Sequence, residues 1–443
     1  MKSSIRILSA VPAALFLLCG TAFAGVWGEG GIPVDVTLEE IGSYPVLQEG
    51  EEDSVDWSER TEGLIKAMLY NRTPAITLLS GGYYVVDGGG SEVNRVGLFD
   101  EQGAQLIPFE AAIIRRLGDH SGEDAGRYLA VYYATEKTED RNKALLYLSD
   151  GSWIGGNIPR EGDTMYEGYI RFYDLELRRF VPELQATGPV SACGDLLALN
   201  KDIYDAEGRQ VAEKRAAGNG YLIRNTSPKE VYDASLTLRF TSELQLSVFP
   251  STSGYLLQYA ADQGYQILDI DGKPVVQDWF KSVYDEKYGL ICAQRADGAY
   301  VLETTDGRVL AESDRRITCL AAGYYYTEDG DSFTMVGADG PIASGLRRPR
   351  SNLQAFDKET GKDAHTLVLG TGELSLPFGG GVNLGIGMVR AYSPEDNSQG
   401  AFDLFTGEQL LPFGYDEVSA SGGLVYADAG GVRHVFRPRY QYR

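Results

Sequence analysis

One turn recurs along this chain of 443 residues, and it limits the folds open to it. Near one end, Gly97-Leu98-Phe99-Asp100-Glu101-Gln102-Gly103 leads into Ala104-Gln105-Leu106-Ile107-Pro108-Phe109. Near the other, Gly400-Ala401-Phe402-Asp403-Leu404-Phe405-Thr406-Gly407 leads into Glu408-Gln409-Leu410-Leu411-Pro412-Phe413, with one extra turn residue. Between them the same frame returns: an aromatic or aliphatic residue, an acid, a short turn, an apolar run. It stands at Tyr173-Asp174, at Tyr204-Asp205 with Gly208, and at Leu268-Asp269 with Asp271-Gly272. It stands again at Leu302-Glu303 with Gly307 and at Phe356-Asp357 with Gly361. Fainter copies lie at Asp150-Gly151, Tyr232-Asp233 and Asp339-Gly340.

Each copy reads as a β-hairpin. The apolar residue ends one strand, and the acid caps its own turn. Glycine takes positive φ at no steric cost, and the next apolar run starts the return strand. Pro108 and Pro412 mark that strand as a sheet edge. Asp100, Gly103, Asp205, Gly208, Asp271, Gly272, Gly307, Asp403 and Gly407 are therefore assigned structural roles in turns. Composition agrees: Gly 54 and Tyr 28 against Met 5 favour strands and turns over helices. Repeated hairpins predict an all-β fold, and the well-matched copies at both ends suggest a ring whose first and last units meet. Closure removes exposed strand edges. A four-stranded blade takes roughly 40–50 residues, so residues 75–443 predict a β-propeller of seven blades, within a range of six to eight. An open array of hairpins is the alternative.

These units resemble the WG-repeat family of bacteria, whose pattern runs Trp-Gly-Leu/Tyr-Ile-Asp-x-x-Gly-x-x-Ile-Ile-Pro-x-x-Tyr-Asp. Gly97 to Pro108 follows it, as does Gly400 through Tyr415-Asp416 with its one insertion. Val96 and Gln399 stand where the naming tryptophan would be. The resemblance implies a diverged all-β repeat array used for interaction. It carries over no catalytic residue.

The first residues read differently. Lys2 and Arg6 precede an apolar run from Ile7 to Cys19, and Ala22-Phe23-Ala24 supplies small residues before a cut. This is the pattern of a secretory signal peptide over 1–24, too short to span a ~30 Å membrane core. It predicts an extracytoplasmic protein: secreted, periplasmic or at the cell surface. Residues 25–57 are acid-rich and predict a mobile leader. Residues 58–74 predict one short helix and a connection, capped by Ser58, with Leu64, Ile65, Met68 and Leu69 at helical spacing. Cys193, Cys292 and Cys319 remain after cleavage. They are buried thiols, or Cys292 and Cys319 pair.

Charge excludes one class of partner. Lys+Arg 40 against Asp+Glu 63 gives −23, which opposes nucleic-acid binding. No later segment is apolar enough to span a bilayer. His120, His365 and His434 lack metal-ligand spacing, so no metal is expected. Asp269-Ile270-Asp271-Gly272 and Glu328-Asp329-Gly330-Asp331 only faintly resemble calcium loops, and turns are due at both. Gly379-Gly380-Gly381 and Gly385-Ile386-Gly387 fail as a dinucleotide fingerprint, so no cofactor is expected. No Gly-x-Ser-x-Gly elbow is present, and no catalytic residue is assigned. Adjacent tyrosines on a strand face opposite ways, so one can pack while the other meets a ligand. Tyr133 and Tyr325 are ligand-binding candidates on that ground, and Trp153 is one as a sugar-stacking platform. The sequence thus predicts an exported, non-catalytic module that binds a protein or an envelope polysaccharide. The alternative is a secreted carbohydrate-active hydrolase, which would need two carboxylates converging beside an aromatic floor.

Overall fold

The computed structural model describes residues 33–45, 76–117, 126–347 and 354–442, apart from short stretches inside those spans. The signal peptide, the helix over 58–74, His120, Asp150-Gly151 and the copy at Asp357 to Gly361 lie outside the described residues. Among the described residues every regular element is a strand.

The strands form nine antiparallel sheets, numbered here in chain order. Sheet 1 runs Ile76–Leu79, Tyr83–Asp87, Val96–Phe99, Gln105–Ala111, each strand pairing with the next. Its second strand shows the local cause: Tyr84 and Val86 are buried while their neighbours are half-buried, the period-two pattern of a strand packed on one face. Sheet 2 lies within 113–186, sheet 3 within 190–212, sheet 4 within 215–242 and sheet 5 within 245–313. Sheet 6 lies within 318–347, sheet 7 within 354–376, sheet 8 within 382–415 and sheet 9 within 417–442. Sheet 5 has seven strands, but its two halves join at one pair, Tyr265 with Phe280.

Nine sheets stand where chain length predicted seven units. Units begin at residues 190, 215, 245, 280, 318, 354, 382 and 417, a pitch of 25 to 38 residues. Many strands are only three to five residues long and joined by tight turns, so a unit needs less chain than a standard blade.

Among the described residues, neighbouring sheets share cores from sheet 2 through sheet 6 and from sheet 8 through sheet 9 to sheet 1. Tyr128 and Phe172 of sheet 2 share a core with Leu197 of sheet 3. Ile203 of sheet 3 packs with Leu222 of sheet 4, and Val231 of sheet 4 with Leu256 of sheet 5. Cys292 and Leu302 of sheet 5 pack with Tyr325 of sheet 6, and Met388 of sheet 8 with Val425 of sheet 9. Tyr84, Val86 and Phe99 of sheet 1 then pack with Leu424, Tyr426 and Val435 of sheet 9. The first sheet thus meets the last. The edge strand of sheet 9 is Pro33–Pro45, paired antiparallel with Val432–Tyr442. An N-terminal strand completes the C-terminal sheet, and this closure makes the array a β-propeller.

Within the stretch 25–57, read from sequence as a mobile leader, the described residues 33–45 are a strand, and the rest lies outside the described residues. The acids of that strand find partners almost a whole chain away: Glu39 pairs with Arg439 and Glu40 meets His434, both at 2.8 Å. Val36 is fully buried.

The turns follow the chemistry of their acids. Asp100 Oδ1 accepts the N–H groups of Gln102 (3.0 Å) and Ala104 (2.9 Å), and Gly103 has φ 81°. Asp205 holds Glu207 and Arg209 in the same way. So does Asp233 with Ser235 and Thr237, where Leu236 takes φ 63° in the glycine's place. Two assignments change. In the next copy Asp269, not Asp271, closes the turn, accepting N–H from Asp271 and Lys273 at 2.9 Å each. Around 304 the frame slides by one: Thr304 Oγ1 accepts the N–H of Arg308 at 3.1 Å, and Glu303 turns inward.

The two best-matched units also share their packing. A Cβ on Gly97 would meet Ile107 O at 2.9 Å and the Phe109 ring at 3.2 Å. One on Gly400 would meet Leu411 O at 2.8 Å and the Phe413 ring at 3.1 Å. Glycine leads each unit because a return-strand aromatic lies across it.

A pair of substitutions tests the turn. At Gly103 (φ +81°) a Cβ would meet nothing within 4 Å, so Gly103→Ala costs only the left-handed conformation, about 1–2 kcal/mol. At Gly272 (φ +76°) a Cβ would stand 2.6 Å from the Phe240 ring. Gly272→Ala therefore costs at least about 1 kcal/mol more, read as a lower urea midpoint.

Candidate functional site

Several buried or partly buried carboxylates are committed to architecture. Arg127 donates through Nε and Nη2 to Asp174, whose side chain is 1% exposed, with the ion pair at 2.7 Å. The same guanidinium reaches Glu176 at 3.0 Å and Asp195 at 2.9 Å, tying sheet 2 to sheet 3. Its charge is held more firmly than in solution, first by the hydrogen bond to Asp174. Glu286 is fully buried and accepts from Ser251 Oγ, Ser253 N, Ser253 Oγ and Gly289 N at 2.6–3.1 Å. Glu303 faces Arg295 at 3.5 Å, and burial raises its pKa.

Around the turns, arginines step from one sheet to the next. Arg437 of sheet 9 meets Glu101 of sheet 1 at 3.4 Å, and Arg178 of sheet 2 meets Asp100 at 3.3 Å. Arg179 meets Glu207 of sheet 3 at 2.6 Å, and Arg239 of sheet 4 meets Asp271 of sheet 5. Asp271 is therefore an inter-sheet contact, which accounts for one carboxylate of the calcium-like run. Asp269 accounts for the other. Among the described residues no three His, Cys, Asp or Glu side chains group to hold a metal.

Sheet 2 departs from the repeat. Its strands Tyr128–Thr138 and Thr164–Asp174 are 11 residues each. An extra hairpin, Leu146–Ser149 with Ser152–Gly155, pairs with the first half of Thr164–Asp174, and Arg179–Ala186 pairs with its second half. On one face Tyr133 lies opposite Tyr169, the rings stacked at 5.0 Å and 14°. Arg171, two residues on, places its guanidinium 3.9 Å from the centre of the Phe180 ring. Phe180 in turn meets Tyr173 edge-on at 5.3 Å. Tyr133, Tyr169, Arg171 and Phe180 are all half-buried. Burial raises the Tyr133 phenol pKa, with Arg171 pulling the other way. The result is a ladder of flat faces and polar tips, suited to stacking and cation–π contact.

The three candidates from sequence separate. Tyr133 is in this ladder. Trp153 is on the same sheet but packs on Tyr166 at 4.8 Å with the core shared by sheets 2 and 3. Tyr132 joins that second core, so the adjacent tyrosines 132 and 133 do face opposite ways. Tyr325 is 0% exposed between sheets 5 and 6, its hydroxyl 3.4 Å from Asp285 Oδ1, which removes it as a ligand platform. Tyr169, Arg171 and Phe180 were missed. The run Tyr169-Ile170-Arg171-Phe172-Tyr173 carries the signal, since alternation sets residues 169, 171 and 173 on one face. Cys193, Cys292 and Cys319 are free thiols, and burial pushes Cys292 and Cys319 up to about 12.

No protein-family model matches the chain, and no curated protein matches it. Solved structures resemble it distantly. A eukaryotic initiation factor shares 10% identity over 83% of this chain and 89% of its own, with a TM-score of 0.37. BamB from Moraxella catarrhalis shares 12% over 92% and 99%, with a TM-score of 0.25. The WD40 β-propeller domain of Doa1 shares 12% over 49% and 88%, with a TM-score of 0.18. At these scores the propeller rests on strand order and closure, not on likeness. No helix among the described residues is long and apolar enough to cross a membrane.

Removing Arg127 tests the architectural role of these charges. Arg127→Ala leaves Asp174 buried without its cation and lowers stability by about 3–5 kcal/mol, measured by urea unfolding.

Proposed function

We propose that this chain is an exported, non-catalytic repeat protein, with units diverged from the WG-repeat pattern, that binds a macromolecular partner. The observation that carries the reading is the ladder Tyr133–Tyr169–Arg171–Phe180, half-buried on a sheet that carries an extra hairpin beyond the repeat. Such faces release water when covered, and their polar tips add direction. The charge of −23 favours a partner with cationic groups, which tyrosine faces also attract. The carboxylates of Asp174, Glu286 and Glu303 are taken up by Arg127, by Ser251 and by Arg295 rather than standing free beside an aromatic floor, which supports binding over glycosidic chemistry. The signal-peptide pattern at 1–24 supports an extracytoplasmic location.

The test is retention on a cationic peptide and on a panel of envelope polysaccharides, with reducing-end release followed in parallel. Salt-sensitive retention, lowered at least about tenfold by Tyr169→Ala and by Arg171→Ala with unchanged unfolding midpoints, is the expected outcome. Release of sugar ends would overturn it in favour of a hydrolase.

A further inference from the structure

Sheet 5 carries a second set of stacked rings. Tyr284 lies on its strand Phe280–Lys287, and Tyr300 opens its strand Tyr300–Thr304. Their ring centres are 5.9 Å apart, with 22° between the planes. Both are half-buried and rest on the core shared by sheets 5 and 6. Arg316 follows in the connection from Val309–Ser313 to Thr318–Ala321, the first strand of sheet 6. It is exposed, and its guanidinium carbon stands 4.3 Å from the centre of the Tyr284 ring.

The charges around Arg316 leave it unclaimed. The chain has 63 acids against 40 Lys+Arg, yet the acids near Arg316 go to other groups. Glu312 takes Arg295 at 3.2 Å and Glu328 takes Arg315 at 3.7 Å. Asp285 faces Lys287 at 4.0 Å and the Tyr325 hydroxyl at 3.4 Å. Asp314 is exposed. Among the described residues Arg316 has its ring contact and no ion pair. A second group beside the rings is also unmet. Ser282, two residues before Tyr284, pairs across the strands with Gln294, which pairs with Tyr300. Its hydroxyl is buried and has no hydrogen-bond partner among the described residues. Such a hydroxyl costs free energy until a bound group or a water meets it.

We propose that Tyr284, Tyr300 and Arg316 form a binding site for an acidic sugar unit, the guanidinium taking its carboxylate and the tyrosines its ring. A guanidinium laid on an aromatic face keeps N–H groups for a two-oxygen acceptor, and a carboxylate matches that fork. The tyrosines add flat apolar faces with hydroxyl tips, which suit a sugar ring. The net charge of −23 repels anions at range, which favours the single charge of a carboxylate over the greater charge of a phosphate. The site shares no residue with the ladder of sheet 2 and does not rest on its reading.

Titration calorimetry on the full chain tests this, with oligogalacturonate and its methyl ester, which keeps the rings and loses the charge. The acid form binds, and the ester binds at least about tenfold more weakly. Arg316→Gln weakens binding of the acid form by about tenfold with an unchanged unfolding midpoint, and Arg316→Lys restores it only in part. Arg315→Gln, which removes the neighbouring cation already paired with Glu328, leaves binding in place. Equal binding of the ester, or no binding of either form, would overturn the site. So would binding that survives Arg316→Gln, or that falls equally with Arg315→Gln. A tighter hold on a sugar phosphate would overturn the choice of a carboxylate.

Discussion

A carboxylate that accepts two backbone N–H groups from its own turn is the interaction from which this structure is built. Asp100, Asp205, Asp233 and Asp269 each do so within four residues. Each bond contributes only about 0.5–1.5 kcal/mol net. Their effect is geometric. The turn is closed locally, so the following strand starts at a set register and each unit folds from its own residues. Where the acid is replaced, the acceptor is kept: Thr304 supplies a hydroxyl at the same place. Because the turns recur in register, their side chains reach neighbouring turns, and Arg179–Glu207 and Arg178–Asp100 join one sheet to the next. One local device thus sets both the hairpin and part of the contact between hairpins.

Local closure cannot by itself make a ring. A stack of self-contained units ends in two exposed faces and a free edge. The chain resolves this by borrowing from its N-terminus. Pro33–Pro45 covers the edge of sheet 9, and Tyr84 and Phe99 of sheet 1 cover its face. Arg437 completes the seam, donating to the Tyr84 hydroxyl and pairing with Glu101. The last copy of the turn is also the one that reaches the closing strand, through Asp403 and Val36. Its extra residue gives Asp403 a wider loop, with Gly407 N–H donating to the Asp403 carbonyl.

What could be read from sequence was what is local. The turn acids, their glycines and the edge prolines follow from short-range chemistry, and Asp100, Asp205 and Asp403 stand in turns as expected. The errors are of two kinds. A one-residue slide is invisible when two candidates lie together, as with Asp269 and Asp271 or Glu303 and Thr304. Long-range pairing is invisible altogether. Residues 33–45 look like a repelling acidic run because Arg439 and His434 lie about 400 positions away. Tyr325 and Tyr133 show the same limit at the site. Alternation says that neighbouring tyrosines part, and they do, but only the packing of sheets 5 and 6 decides that Tyr325 is enclosed.

The departure from the repeat is therefore informative where the repeat itself is not. Identical turns on successive sheets present similar surfaces, and a partner reading only those would have no reason to choose one position around the ring. Sheet 2 breaks that equivalence with an added hairpin, Leu146–Ser149 with Ser152–Gly155. The break has a structural cost, since half-buried aromatic faces stay partly wet. Stability alone would favour burying Tyr133 and Tyr169 as Tyr325 is buried, or replacing them by polar residues. The arrangement instead keeps two stacked rings, with the Arg171 guanidinium laid over the Phe180 ring. A guanidinium so held loses little further freedom on binding, and rigid rings lose less still. A stacked, partly exposed ladder on a sheet that carries an added hairpin is the kind of surface that the proposed docking role calls for, while Tyr133 and Phe180 also pack against the core shared with sheet 1.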